Sequence, residues 1–415
     1  MIPVAGSAYT YSYATMGELI AWIIGWDLIL EMLMAGSVIS KYWGVYLNDF
    51  MRLMGWNANT NLTFGSFHID IAPIIIVAFF TTLLVFGTKI GARVDGAMTV
   101  LKIAIVFFVV IVGFFYVKAS NFTPFIPPSE PAASTDGSGV SAVMEQPLWQ
   151  WATGMAPSIY GVTGIISGAA LVFFAFLGFD VVATASEETI NPKKNVPLGI
   201  GVGLGLIIVL YTLVAIVTTG MVSYKDLAKQ SDPSLAVAFK MVGADWAAKI
   251  ISLGIVIGMA TVVMVLLLGL TRVVFAMSRD GLLPRGLSHT GKHGTPVRLQ
   301  IIVGVVMALI AACCNVGILS DMVNIGTLSA FTLVAISIPI MRKKRPDLER
   351  SFKIPGNPWV PILIAIANLW LMVNLSVLTW IRFVVWLIVG FAIYFGYGYR
   401  HARLGAGELE VAAQE

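Results

Sequence analysis

Apolar positions in this chain do not alternate with polar ones. They run on for about 20 residues at a time, the length a helix needs to cross a bilayer, and then give way to short polar stretches. Ten such runs lie near 17–40, 71–89, 94–117, 161–186, 198–222, 247–277, 298–316, 319–341, 359–379 and 383–400. A membrane barrel would instead show strands of about 10 residues with period-2 alternation, and no such pattern is present. The pattern predicts an all-α polytopic membrane protein with ten transmembrane helices.

Composition agrees. Of the 415 residues 58% are hydrophobic and 12% charged, against about 25% charged in a soluble domain. The formal net charge of +4 is distributed by membrane topology and does not point to nucleic acid. One set of alternate connections carries Lys89, Arg93, Lys193, Lys194, Arg279, Arg285, Lys292, Arg298, Arg342, Lys343, Lys344, Arg345, Arg350, Lys353, Arg400 and Arg403. The other set carries half as many: Lys41, Arg52, Lys118, Lys225, Lys229, Lys240, Lys249 and Arg382. Lysine and arginine accumulate on the cytoplasmic side, so the first set and both termini are expected to be cytoplasmic, in a plasma membrane. Lys102 and Arg272 fall within helices.

The longest connection, "SNFTPFIPPSEPAASTDGSGVSAVMEQPLWQW", is then external. Its Pro, Ser and Gly content predicts a loosely packed loop, with Trp149 and Trp151 as interfacial anchors. The stretch "YKDLAKQSDPSLAVAFKMVGADW" is expected to form one short surface helix. Gly254 and Gly258, spaced i, i+4, permit close helix contact; that reading concerns packing only. Cys313 and Cys314 are adjacent in an apolar run and read as small packed side chains. His289 and His293 lie in a basic, Gly-rich loop without an HExxH motif. No phosphate-binding loop, nucleophile elbow or kinase signature occurs, so neither an enzyme nor use of ATP is expected.

Ionisable residues inside a membrane are expensive, about 2.5–3.5 kcal/mol on insertion scales. Asp27 and Glu31 share a helix face and suit either a structural hydrogen bond or a functional role. Lys102, in "GAMTVLKIAIVFFVV", lies about 12 Å along its helix at 1.5 Å per residue. Desolvation disfavours the charged form of a lysine. Such a group can release and regain a proton as its surroundings open and close; a static contact with a carboxylate or carbonyl fits it equally. Asp180 ends the run Phe173-Phe174-Ala175-Phe176-Leu177-Gly178-Phe179. Gly178 tolerates non-helical backbone, and transporters break helices near the midplane to bind substrate with the freed backbone groups. An ordinary helix with a packing glycine is the alternative.

These stretches, with "IPVAGSAYTYSY", "GELIAWIIGWDLILE", "FFAFLGFDVVATASEETINPKKNVPLGI", "RVVFAMSRDGLLP" and "VNIGTLSAFTLVAISIPIMRKKRPDLERSFKIPGNPWVP", run nearly end to end. Together they resemble the amino acid–polyamine–organocation permeases, most closely their bacterial cationic amino acid transporter-like branch. The resemblance implies a LeuT-like fold of two inverted five-helix repeats and two accessory helices. Residues 1–117 would be three helices of the first repeat, 118–160 an external loop, 161–342 the second repeat, 343–400 a cytoplasmic loop with the accessory helices, and 401–415 a cytoplasmic tail. The ten helices would be the family's third to twelfth. Met1 is then expected to be an internal methionine or a truncated start, and the bare 415-residue chain is not expected to transport.

The resemblance also implies roles. Phe174 would be an aromatic gate over the substrate. Ala175 and Leu177 would turn carbonyls toward its amino group, beside Gly178. Lys102 would replace a sodium ion in a proton-coupled cycle, with Glu31 and Asp180 tuning proton binding or cationic side chains. The function implied is secondary active uptake of cationic or small neutral amino acids, driven by the proton gradient with no cofactor and no metal. The alternatives are a non-transporting sensor or partner subunit that retains the fold, or an inactive truncated permease. The lipid bilayer is the other expected partner; the sequence carries no signal for an oligomeric state.

Overall fold

The computed structural model describes residues 7–56, 60–64, 67–86, 88–131, 142–156, 158–179, 182, 189–230, 233–291, 295–344, 346 and 356–402. A short helix α1 (Ser7–Met16) leads through Gly17 into α2 (Glu18–Leu53), α3 (Ile71–Phe86) and α4 (Thr88–Phe114). After the long connection come α5 (Leu148–Thr153), α6 (Gly161–Val172) and α7 (Pro192–Met221). Then follow α8 (Leu235–Met241), α9 (Asp245–Arg279), α10 (Val297–Cys313), α11 (Val316–Lys344), α12 (Trp359–Val373) and α13 (Val377–Ile393). Each of the ten apolar runs thus holds a helix. Among the described residues, five helical stretches are both long and apolar enough to cross a membrane: α2, α7, α9, α11 and the continuous segment Val377–His401.

The bundle is organised around α2. Its most extensive contacts are with α9 and α11, and it also packs on α10 and α3. Lipid tails are as apolar as leucine, so helices in a membrane associate through close packing and hydrogen bonds. The contacts of α2 show this. A Cβ at Gly36 would lie only 2.6 Å from the Met307 sulfur of α10, so the glycine makes room for that methionine. Trp26 stacks on Trp386 of α13 with ring centroids 4.4 Å apart, and its Nε1 donates to the Trp386 carbonyl at 2.9 Å. By contrast, α7 leaves most of its apolar surface open.

Polar latches fasten one end of the bundle. The Tyr9 hydroxyl of α1 donates to Asp280 Oδ2 just beyond α9, at 2.9 Å. Burial and the Asp280 carboxylate push the Tyr9 hydroxyl well above its usual range, which keeps it a donor. Tyr394 donates to Glu18 Oε1 at 2.9 Å, tying the last helical segment to the start of α2.

Two loop expectations change. The predicted surface helix is two pieces, Tyr224–Ala228 and α8, the second begun by Ser234 accepting from the Val237 amide at 3.2 Å. The long loop is not loose at its end. Leu148 N donates to the Leu375 carbonyl at 2.9 Å and Val377 N to the Gln146 carbonyl at 3.1 Å. Trp149 Nε1 donates to Asn374 Oδ1 at 2.8 Å. Backbone pairing with the α12–α13 turn therefore offsets a composition that favours disorder, and Trp149 is a docked side chain while Trp151 stays half exposed.

Candidate transport site

The α6 helix stops at Val172. Phe173–Phe176 form a single 3-10 turn, Leu177 is extended, and Gly178 takes φ +105°, a conformation open to glycine and strained for other residues. A helix interrupted in an apolar run leaves orphan carbonyls. Irregular backbone at membrane depth is tolerated only where those groups find protein partners or line a cavity. Two side chains meet the need here. Asn324 Nδ2 of α11 donates to the Leu171 carbonyl at 3.3 Å, and the Tyr211 hydroxyl of α7 donates to the Ala175 carbonyl at 2.7 Å.

The break packs at the junction of three helices. Phe174 and Leu177 lie against the buried cluster of Ala35 on α2, Leu266 on α9 and Val323 on α11. Phe173 and Phe179 both contact Phe331 of α11, with ring centroids 6.2 Å and 5.2 Å apart. Phe176 turns the other way, edge-on to Tyr211 at 5.2 Å. The four residues singled out in sequence, Phe174, Ala175, Leu177 and Gly178, are thus brought together in one non-helical segment. The Ala175 carbonyl accepts the Tyr211 hydroxyl, and a carbonyl oxygen has two lone pairs. Asp180 lies outside the described residues.

Asp27 and Glu31 are fully buried, at 0% exposure. They share a face with Ala35, at i, i+4 and i+8, so the acidic face of α2 leads to the break. Gly326 of α11 sits against this face, with the would-be Cβ 3.5 Å from the Asp27 carbonyl oxygen. Lys102 lies near the middle of α4, with its side-chain stem against Gly258 of α9.

Tyr211, Asn324 and Phe331 were not singled out in sequence. Asn324 carried a signal, being an amide within an apolar run. Tyr211 and Phe331 carried none, because aromatic residues are ordinary in such helices.

A family model described as amino acid permease matches residues 1–396. The chain belongs to the amino acid permease family. It is a multi-pass membrane transporter of amino acids and not an enzyme. Among its relatives, the "Branched-chain amino acid permease BcaP" of Bacillus subtilis (strain 168) is 40% identical over 411 residues, covering 97% of this chain and 81% of that protein. The "Methylthioribose transporter" of the same organism is 40% identical over 409 residues, with the same shares covered. The "Cationic amino acid transporter 3, mitochondrial" of Arabidopsis thaliana is 35% identical over 354 residues, covering 84% of this chain and 53% of that protein.

Proposed function

We propose that this permease takes up cationic or small neutral amino acids, driven by the proton gradient without a bound cofactor. It would lie in the plasma membrane with both termini cytoplasmic. The observation that carries the reading is the interrupted helix at Phe173–Gly178, seated where α2, α9 and α11 meet. Its remaining backbone acceptors suit an ammonium group, and Phe174 suits a gate. Lys102 is the coupling group: a lysine held mid-helix can alternate between charged and neutral forms as the site opens and closes. Glu31, one turn from Ala35, adjusts the field at the site, and Asp180 is assigned the same part from sequence. Sodium is not needed at a position that a lysine fills.

The test is uptake of labelled amino acids into proteoliposomes under an imposed pH gradient. Wild type accumulates substrate when the outside is acid, with or without sodium, and Lys102→Ala does not. Equal gradient-driven uptake by both would remove Lys102 from the mechanism.

The methylthioribose transporter relative, at the same identity as the branched-chain permease, supports a second cargo, a thio-sugar. Competition separates the two. Unlabelled arginine or alanine displaces the label under the first reading, and methylthioribose displaces it under the second.

A further inference from the structure

Gly254 and Gly258 face α4, and the structure shows what each of them receives. A Cβ at Gly254 would lie 2.6 Å from both Cγ1 and Cδ1 of Ile105. A Cβ at Gly258, one turn on, would lie 3.2 Å from Lys102 Cγ, 3.7 Å from Cε and 3.9 Å from Cδ. Contact with three stem carbons means that the lysine stem lies along the bare surface of α9. Lys102 and Ile105 are three residues apart on α4, so they are neighbours on one face, and the two glycines form a matching notch. The motif therefore does two jobs. One glycine admits an ordinary packing side chain, and the other admits the only lysine in the middle of α4.

We infer that Gly258 is a positioning residue for proton coupling: its missing side chain lets the Lys102 stem lie flat on α9 and sets where the ammonium group sits. This rests on the coupling role proposed for Lys102. A methyl group at position 258 lifts the stem by a few tenths of an ångström and moves the terminal amine relative to the α9 backbone. An amine whose surroundings change also changes its proton affinity.

The surrounding charges make the readout specific. Among the helices packed on α4, α9 carries Asp245, Lys249, Arg272 and Arg279, α7 carries Lys193, Lys194 and Tyr211, and α3 carries no Asp, Glu, Lys, Arg or His. On α4 itself are Lys89, Arg93 and Asp95, and α2, packed on α9, adds Asp27 and Glu31. A substitution at position 258 leaves all of these in place, whereas the Lys102 stem is the contact it alters.

The experiment compares the pH dependence of uptake for wild type, Gly258→Ala, Gly254→Ala and Lys102→Ala in proteoliposomes holding the full protein. Gly258→Ala displaces the pH of half-maximal uptake by about one unit, the size of an ordinary environmental shift. Gly254→Ala, although the tighter fit, leaves that pH unchanged and lowers only the amount of folded protein. Ile105→Ala replaces it as the packing control where Gly254→Ala does not accumulate. An unchanged midpoint for Gly258→Ala, or an equal shift for the packing control, would overturn the inference while leaving the role of Lys102 standing. Wild-type uptake by Lys102→Ala overturns both. Should Gly258→Ala fail to accumulate, pairing it with Lys102→Ala restores accumulation if the stem is what the methyl strikes; continued failure overturns the inference.

Discussion

Replacing Gly178 by alanine perturbs the helix break through the backbone alone. At φ +105° an L side chain is strained, yet among the described residues no atom beyond its chain neighbours lies within 4 Å of where the Cβ would go. No clash contributes, so the loss is that of a disfavoured backbone conformation, about 1–3 kcal/mol. The substituted segment relieves this strain by leaving the observed turn, and the substrate then meets the bound-state backbone as a minor conformer. Every 1.4 kcal/mol is tenfold in an equilibrium, so KM rises between about fivefold and a hundredfold. Gly168 is the control. It lies in α6 with an ordinary helical φ and also has nothing within 4 Å among the described residues. Gly168→Ala should be neutral or more stable, by about 0.5–1 kcal/mol. The assay is initial-rate uptake against substrate concentration, with thermal unfolding in detergent measured alongside. A Gly178→Ala protein with wild-type KM and unfolding temperature would refute the reasoning, as would an equal loss in Gly168→Ala.

Other outcomes follow from single contacts. Tyr211→Phe removes the donor to the Ala175 carbonyl. At about 0.6–2 kcal/mol for a hydrogen bond in a membrane, it weakens substrate binding roughly threefold to thirtyfold, read by equilibrium binding of labelled substrate. Ser376→Ala removes the side chain that accepts from the Thr379 amide at the start of α13. It lowers stability by about 1 kcal/mol in thermal unfolding and leaves uptake per folded molecule unchanged. The exposed Lys225–Glu130 pair, 3.0 Å apart, raises the Lys225 pKa through the hydrogen bond and charge of Glu130. Its small contribution is therefore present below the usual lysine range and lost only above it, and Lys225→Met lowers the unfolding temperature by the same small amount at pH 6 and at pH 8.

What was legible in sequence follows from the range of the interactions. The helices were legible because the bilayer sets a length that apolar runs must meet. Lys102 and Glu31 stood out because a charge in such a run is expensive wherever its partner lies. Gly178 marked the break because its conformational freedom is local. The partners of the break were not legible: Tyr211 reaches the Ala175 carbonyl from 36 residues away, and Asn324 reaches the Leu171 carbonyl from 153 residues away. Each pairing depends on how helices cross. The docked end of the long loop was hidden for the same reason, since Gln146 and Leu148 pair through backbone groups that every residue carries. Gly254 and Gly258 were visible as a close-contact motif, but only the packed helices show that Ile105 fills one notch and Lys102 the other.

The central claim is proton-coupled amino acid entry through Lys102. Its most direct test is proton movement itself, with a pH-sensitive dye trapped inside proteoliposomes that hold the full protein. Added arginine or alanine should acidify the interior in wild type and fail to do so in Lys102→Ala, with sodium absent throughout. Substrate entry by wild type without acidification, or only in the presence of sodium, would contradict the account.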